Sequence, residues 1–298
     1  MSRALGLALG FAADWLLGDP QRWHPVAGFG RTAAALERPL HADSRARGAA
    51  HVALLVGAVA YAGRRLGDGT LPTAAATWAV LGGRSLDREA AAVQELLDTG
   101  ELDAARQRLT HLVGRDTSSL DEGEVARAVI ESVAENSSDA VVAPLVWGAL
   151  LGPAGLLAHR AANTLDAMVG HHNARYERFG WAAARLDDLL NLPGSRLTAA
   201  LTVLLGADRA GALRAWRRDA AGHPSPNAGP VEAAFAGALG IRLGGANTYG
   251  DRVEQRVVLG DGQPPAAHDV PRARELAVRV DVAALIVLLP IAARRRRR

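Results

Sequence analysis

The apolar residues of this chain are gathered into runs that charged segments separate, and this grouping restricts the fold more than any other feature. The runs cover residues 4–17, 49–63, 71–82, 140–158, 197–207 and 280–293. A membrane-spanning helix needs about 20 residues, with about 17 as the lower limit. Only 140–158 reaches that limit outright. The pattern predicts an all-α, multi-pass integral membrane bundle of about three to five spans, with a polar helical subregion at the cytoplasmic face and a re-entrant segment.

Arginines mark the expected orientation of this bundle. Arg64 and Arg65 follow the second run, and the arginine tail 294–298 follows the last. Because basic residues remain on the cytoplasmic side of a membrane, the ends of both runs that precede these arginines, and with them the C-terminus, are expected in the cytoplasm. The first run does not look like a signal peptide, since Asp14 interrupts it and no small-residue cleavage site follows.

Composition excludes several kinds of chemistry. The chain has no Cys, which excludes disulfides and thiolate metal sites. All 34 basic residues are Arg, which excludes lysine nucleophiles and Schiff bases and leaves Arg for binding anions. The formal net charge of +3 is small and five of the arginines form the tail 294–298, so a nucleic-acid partner is not expected.

The whole chain, 1–298, is interpreted as a single membrane-embedded helical domain. It contains a soluble helical insertion over 84–138 and the catalytic motifs over 114–250. Within the insertion, 84–113 has the pattern of a helical hairpin with Thr99-Gly100 at the bend. A capping box at 119–122 predicts that an acidic helix begins there. Further along, a helix break is expected at 193–196 and a Gly/Asn loop at 243–250.

The acidic helix carries its charges on one face. At about 100° per residue, Arg127, Glu124 and Glu135 lie within about 40° of Glu131, and Asp139 within about 80° if the helix continues that far. The stripe ends in amide and hydroxyl residues beside an apolar run, where carboxylates are costly unless they meet a cation, a metal or water. The pattern indicates a site; the alternative is a solvated face.

A second polar stripe follows the apolar run 140–158. His159, Asn163, Asp166 and Gly170 recur at i, i+4, i+7 and i+11 on an otherwise apolar helix. An Asn and an Asp three residues apart beneath a His favour a metal or phosphate–metal site. The alternative is a capped, hydrated helix end. A lone histidine such as His24 is more often a packed or capping residue than a ligand.

The two stripes can form one site only if the run between them does not cross the bilayer. A spanning helix over 140–158 would place them on opposite sides of the membrane. Gly152-Pro153 interrupts the run, and irregular backbone at that depth is tolerated where protein covers it or water reaches it. The sequence therefore predicts a broken, non-spanning hairpin.

Four long blocks carry a resemblance to a known family. They are DWLLGDPQRWHPVAGFGR at 14–31, VGRDTSSLDEGEVARAVIESVAENSSDAVVAPL at 113–145, NTLDAMVGHHNARYERFGWAAARLDDLLNLPGSRLT at 163–198 and HPSPNAGPVEAAFAGALGIRLGGANTYG at 223–250. With these blocks, the chain resembles the adenosylcobinamide-phosphate synthase family of cobalamin biosynthesis (CobD/CbiB). It departs from the family pattern at Gly194-Ser195, where a Pro-Ala is expected before Arg196.

The resemblance implies an amide-forming ligase of the late corrin pathway in the cell membrane. Such an enzyme joins adenosylcobyric acid to (R)-1-amino-2-propanol O-phosphate, or a related amino-alcohol phosphate, with ATP and Mg²⁺. Its implied partners are these substrates, the lipid bilayer and other membrane enzymes of the late pathway. Forming an amide from a carboxylate requires activation, for instance as an acyl phosphate, and carboxylate-held Mg²⁺ with arginines suits that step.

On this basis residue type suggests the roles. The expected metal ligands, also counted as catalytic, are Glu131, Glu135 and Asp166. Asp187 and Asp188 are the candidate bases for the incoming ammonium. Substrate binding is expected from Arg115, Asn136, Asp139, Asn163, Arg185, Arg196, His223, Asn227 and Asn247. Two other functions fit the pattern: a membrane transporter, which also uses intramembrane carboxylates, and a non-catalytic membrane scaffold for a corrinoid.

Overall fold

A computed structural model describes residues 2–19, 24–249 and 252–294, with the side chains of 246–255 left out. Those residues form helices and one antiparallel hairpin. The helices are α1 (Ser2–Leu17), α2 (Pro25–Leu40), α3 (Arg45–Leu66), α4 (Thr70–Val80), α5 (Gly83–Asp98), α6 (Leu102–Leu109), α7 (Glu122–Ser137), α8 (Ala143–Leu151), α9 (Pro153–Val169), α10 (Trp181–Leu205), α11 (Arg209–Asp219), α12 (Ala228–Leu239) and α13 (Asp269–Arg294). The hairpin pairs β1 (Leu243–Tyr249) with β2 (Arg252–Leu259). The predicted helical class is confirmed.

The chain forms two compact units. Unit 1 comprises Met1–Gly82, Asp139–Gly194 and Leu285–Arg298, and unit 2 comprises Gly83–Ser138 and Ser195–Ala284. The first segment of unit 2 covers nearly the same residues as the expected soluble insertion over 84–138, which stays a prediction. In unit 1, residues of α2, α3, α9 and α10 share an apolar core around Phe179 and Leu165.

Small residues set the packing of α1 against α4 in unit 1. A Cβ added at Gly6 would lie 2.5 Å from Cβ of Thr73, and one added at Gly10 would be equally crowded by Thr77. Both pairs are spaced four residues apart, so each helix presents a small-xxx-small face to the other. Such faces let backbones approach closely and are frequent between helices in membranes.

This close approach predicts a large effect of one methyl group. We expect Gly6→Ala to lower the free energy of unfolding by about 1–3 kcal/mol, because the crowding atoms include the backbone oxygen of Thr70 at 2.7 Å. Thermal unfolding of the purified protein in detergent measures the change. Gly57→Ala on α3 is the matched control, since nothing lies within 4 Å of its added methyl group. Equal stability of the two variants would contradict the packing.

The polar segment of unit 2 forms the predicted hairpin, but its capping box lies two residues later than predicted. Helices α5 and α6 form the expected hairpin, with Thr99 and Gly100 at the turn. The capping box lies at Asp121 and Glu124 rather than at Ser119, so α7 begins at Glu122. Both motifs place a hydroxyl or carboxylate oxygen three residues before an acid, and Asp121 accepts from the backbone N–H of Glu124 at 2.8 Å.

The apolar run 140–158 is broken where expected. A π turn over Ser138–Val142 leads into α8, which ends at Leu151, and Gly152 adopts φ +64 before α9 begins at Pro153. Helix α8 has 9 residues and continues α7 through the π turn without a gap, so the helical backbone runs from Glu122 to Leu151. The break at Gly152 divides the run between α8 and α9, and the non-spanning hairpin stays a prediction.

The expected break at 193–196 is wrong, because α10 continues through Pro193. Proline removes its own hydrogen bond to the fourth preceding carbonyl. Tertiary packing compensates: Gly194 lies so close to Ala143 on α8 that a side chain would overlap it, and the indole of Trp147 donates to the carbonyl of Leu190 at 2.8 Å.

The expected loop at 243–250 is also wrong over its described part, which is strand β1. Gly244 and Gly245 have φ +82 and +93 and lie at a register shift in the hairpin. The glycine pair is therefore a β-bulge, which a sequence pattern does not distinguish from a loop.

Two helices of the described part are long and apolar enough to cross a membrane, α3 and α13. The expected three to five spans are not confirmed. Runs 4–17 and 71–82 form α1 and α4, which have 16 and 11 residues. Helices of that length fall short of the about 20 residues that cross the bilayer core.

Candidate active site

Helices α9 and α10 bring a group of carboxylates together in unit 1. Burial first, and then the charge of Asp166, raise the pKa of Asp187 to about 7 against the opposing effect of the amides of Asn163 and Asn191. Burial, followed by the charge of Asp188, also raises the pKa of Asp166. Among the residues that the structure describes, Oδ1 of Asp187 has no hydrogen-bond partner although it is buried. We call Asn163, Asp166, Asp187 and Asp188 the aspartate cluster.

A buried hydrogen-bond chain fixes the orientation of Asp187. His159 Nε2 lies 2.7 Å from Oδ1 of Asn191, and Nδ2 of Asn191 donates to Oδ2 of Asp187 at 2.9 Å. Burial lowers the pKa of His159 to about 4, so the imidazole is neutral and its Nε2–H donates to the amide. His159 is 1% exposed, which excludes a hydrated helix end at this position.

Gly170 leaves room for Asp166 at the end of α9. A side chain at Gly170 would overlap Oδ1 of Asp166. The backbone carbonyl of Asp166 also accepts a hydrogen bond from the backbone N–H of Gly170 at 2.7 Å. The carboxylate therefore folds back over the helix terminus. The i+11 position of the predicted stripe is a steric requirement rather than a ligand.

The acidic face of α7 forms a second group in unit 2. Glu131 Oε2 lies 3.1 Å from Nη2 of Arg115, and Oε1 accepts from the backbone N–H of Gly244 at 2.9 Å. Arg127 donates to the carbonyl of the same glycine. Glu131 is 7% exposed, so the predicted solvated face is excluded at this residue. Helix α7 is thereby bonded to the bulge of the hairpin.

Helix α12 adds a glutamate that residue patterns did not select. Glu232 is 1% exposed in a helix whose every residue is buried. Burial raises its pKa well above the usual value, the charges of Glu131 and Glu135 raise it further, and Arg256 and Arg115 oppose the rise. A single acid within AGPVEAAFAGAL was the available signal, because a buried apolar helix keeps a carboxyl group only where it has partners.

His223 approaches this glutamate from the preceding loop. Its Nε2 lies 3.8 Å from Oε1 of Glu232, and its Nδ1 accepts from the backbone N–H of Ser225 at 3.1 Å. Since Nδ1 is the acceptor, the proton of a neutral ring is on Nε2 and faces the carboxyl group.

A small polar cavity lies beside these groups. It has a volume of about 150 Å³, and its charged lining consists of Arg115, Glu131, Glu135, Glu232 and Arg256. We call these five residues the arginine–glutamate cluster. An open groove of about 630 Å³ in the same unit is lined by Arg127, Leu243 and Gly244 among others.

Several predicted substrate-binding residues have structural partners. Nη1 of Arg196 donates to the carbonyl of Pro226 at 2.6 Å and lies 3.4 Å from Oδ1 of Asn227, so it holds the 223–227 loop. Nδ2 of Asn136 donates to the carbonyl of Ser132 at 2.9 Å, within its own helix. These contacts add a positioning role to the expected binding role.

The remaining predicted residues are dispersed. Arg185 is exposed and lies 3.8 Å from Asp188. Asp139 leaves the acidic face because α7 ends at Ser137, and it interacts electrostatically with the buried Arg160 instead. The side chain of Asn247 lies outside the described residues. His24 caps α2, since its Nδ1 accepts from the N–H of Val26 at 3.2 Å, as the capping interpretation expects.

The predicted metal ligands are divided between the units, with Glu131 and Glu135 in unit 2 and Asp166 in unit 1. Their convergence on one cation stays a prediction. No group of three or more His, Asp or Glu side chains arranged to hold a metal occurs in the part of the chain that the structure describes. The oxygen donors of Asn163, Asp166 and Asp188 are nevertheless of the kind that holds Mg²⁺, which uses one or two carboxylates together with substrate phosphates.

Comparison with known proteins gives a consistent result. The family model described as CobD/Cbib protein matches residues 7–277. The cobalamin biosynthesis protein CobD of Mycobacterium tuberculosis is 50% identical over 305 residues, covering 99% of this chain and 97% of its own. Those of Chromobacterium violaceum and Stutzerimonas stutzeri are 48% and 45% identical over 290 and 284 residues, covering 93% of this chain and 92% and 93% of their own. No solved structure matches the chain.

Proposed function

We propose an ATP-dependent amide ligation in cobalamin biosynthesis as the reaction of this chain, which belongs to the CobD/CbiB family. The enzyme joins adenosylcobyric acid to (R)-1-amino-2-propanol O-phosphate, or a related amino-alcohol phosphate, and gives adenosylcobinamide phosphate. The observation that carries the proposal is the aspartate cluster, in which the pKa of Asp187 is about 7. A carboxylate with a pKa near the working pH is suited to general base catalysis.

The proposed amide ligation has two steps, formation of an acyl phosphate and attack on it by the amine. The substrate carboxylate attacks the terminal phosphoryl group of ATP, and ADP leaves, so that a mixed acyl phosphate forms. The amine then attacks the acyl carbon, the new C–N bond forms, the C–O bond to phosphate breaks and inorganic phosphate leaves. Asp187 takes the proton that the ammonium group must lose before it can attack, and Asn191 with His159 keeps its carboxylate in place.

Asp166, with Asn163 and Asp188, is the proposed holder of Mg²⁺. Both oxygens of Glu131 already have partners, which favours the aspartate cluster over the acidic face of α7. When bound, Mg²⁺ supplies charge neutralisation for the phosphates of ATP. The arginine–glutamate cluster and the loop held by Arg196 are proposed to bind substrate.

Membrane association is part of the proposal. Two helices, α3 and α13, are long and apolar enough to support it. Unit 1 also exposes large apolar side chains, among them Leu16 at 82% and Leu71 at 79%. Exposed apolar surface of this kind is expected where lipid covers a protein. The proposed location is the bacterial inner membrane with a cytoplasmic C-terminus, beside other enzymes of the late pathway.

Product formation tests the reaction directly. Membranes containing the chain are supplied with adenosylcobyric acid, the amino-alcohol phosphate, Mg²⁺ and ATP, and the corrinoid product is identified by mass spectrometry. We expect one ADP per amide bond and no product when ATP or the chain is omitted. Corrinoid flux into liposomes without ATP-dependent product would instead assign the chain to transport.

The placement of Mg²⁺ makes a separate prediction. We expect Asp166→Asn to raise the Mg²⁺ concentration needed for half-maximal activity about tenfold or more, because a ligand carboxylate is lost. Activity titrated against Mg²⁺ at saturating ATP measures the shift. Asp98→Asn on α5 is the control, since Asp98 is exposed. If the Mg²⁺ titration curve of Asp166→Asn is the same as that of wild type, Asp166 is not a ligand of the cation.

A further inference from the structure

The arginine–glutamate cluster has a donor and acceptor pattern that few ligand groups match. The guanidinium groups of Arg115 and Arg256 only donate hydrogen bonds, and the carboxylate oxygens of Glu131 and Glu135 face the same cavity as acceptors. An ammonium group would face the arginines, and a carboxylate would face the glutamates. A primary carboxamide both accepts through its oxygen and donates through its NH₂, so it is compatible with both sides.

The charges of the cluster also favour a neutral ligand. Glu131 is ion-paired with Arg115 at 3.1 Å, and both side chains are less than one-tenth exposed. A buried pair of this kind is balanced, and an added charge would upset the balance at a high cost in a site of low dielectric. A dipolar, uncharged group meets no such cost.

The size of the cavity restricts the ligand to a side chain. A volume of about 150 Å³ corresponds to about five water molecules at their share of liquid volume, about 30 Å³ each. Glu131, which lines the cavity, lies 3.9 Å from Arg127, which lines the open groove of about 630 Å³. The groove has an apolar floor that includes Leu243, Val258 and Pro264. The linings of the groove and the cavity therefore meet at Arg127 and Glu131.

We propose that the cavity of the arginine–glutamate cluster binds a primary carboxamide arm of the corrinoid and rejects a carboxylate at the same place, while the groove receives the body of the ligand. This inference rests on the proposed function, since it takes the amidated corrinoid as substrate. It assigns to unit 2 the discrimination between fully amidated and incompletely amidated corrinoids. No bond to the ligand is made or broken there.

Binding without ATP, Mg²⁺ or amine tests the proposal. Dissociation constants are measured by calorimetry on the full chain in detergent, for adenosylcobyric acid and for analogues in which a single peripheral carboxamide has been hydrolysed to the acid. We expect one acid isomer to bind about tenfold or more weakly than the parent compound, because it leaves buried glutamates facing a like charge. Equal affinities for all isomers would overturn the proposal.

A variant identifies the cluster as the source of the discrimination. Glu135→Gln replaces one carboxylate by an amide of the same shape, so the affinity ratio of parent to acid isomer should fall severalfold. Glu95→Gln on α5, which is exposed, should keep the wild-type ratio. If the affinity ratio of parent to acid isomer is unchanged in Glu135→Gln, another surface distinguishes the carboxamide arm from the carboxylate. Failure of wild type to bind any corrinoid would contradict the proposed function, whereas ATP-dependent product without amide selectivity would contradict this cavity alone.

Discussion

Asp187→Asn is expected to lower kcat for amide formation about 100-fold or more while the amount of folded protein stays the same. General base catalysis contributes about 10² to 10⁴ in rate, and an amide cannot accept the proton of the ammonium group. The hydrogen bond from Nδ2 of Asn191 can persist to the amide oxygen at the same position. Loss of activity with an intact fold is therefore expected, measured as ADP release and product at saturating substrates.

The same substitution should stabilise the protein at high pH. The pKa of Asp187 in the folded chain, about 7, lies above its ordinary value of 3.8. The folded state thus binds more protons than the unfolded state between these values, and stability falls as pH rises through that window. We expect Asp187→Asn to unfold at a higher temperature than wild type at pH 8, with the difference vanishing toward pH 4.

An exposed aspartate of the same unit is the control for this experiment. Asp43 lies in the same unit with its side chain 74% exposed, so Asp43→Asn should change neither kcat nor the dependence of stability on pH. If Asp187→Asn keeps full activity, Asp187 is not the general base. One that loses stability at pH 8 would contradict the raised pKa.

Glu131→Ala is expected to lower the free energy of unfolding by about 3–5 kcal/mol. Removing one member of a buried ion pair leaves the other charge without compensation, which costs that amount. Here Arg115 remains, with its side chain 5% exposed. The backbone N–H of Gly244 also loses its acceptor, so one of the two hydrogen bonds that α7 makes to the bulge of the hairpin is lost. Chemical denaturation in mild detergent measures the change.

Two comparisons separate this effect from a general loss of helix stability. Glu95→Ala removes a glutamate from the exposed face of α5 and should change stability by less than about 0.5 kcal/mol. A double variant, Glu131→Ala with Arg115→Met, should recover part of the loss, because it removes the uncompensated charge as well. Full stability of the single variant would show that the pair contributes nothing.

Local patterns determined the elements whose causes are local. The break at Gly152 and Pro153, the hairpin bend at Gly100 and the capping role of His24 follow from backbone preference and capping geometry, which neighbouring residues set. Helical periodicity also placed Asn163 and Asp166 on one face of α9. The long blocks of family resemblance identified the family before any fold was known, and the family comparison confirmed it.

Long-range contacts decided the rest. Pro193 was a strong local signal for a break, but the contact of Gly194 with Ala143 keeps α10 continuous. The glycine pair at 244–245 became a bulge because α7 bonds its backbone through Glu131 and Arg127. These outcomes depend on partners about 50 to 120 residues away in the chain, which no periodicity within one segment reveals.

The same distinction applies to the candidate site. Sequence alone singled out the carboxylates and amides beside apolar runs, because such groups need partners wherever the chain places them. Only the tertiary structure decided which of them meet: Asp187 with Asn191 and His159, Glu232 with His223, and Glu131 with Arg115. The physical reason is that a pKa or an ion pair depends on burial and on distances between elements, and both exist only after the helices have packed.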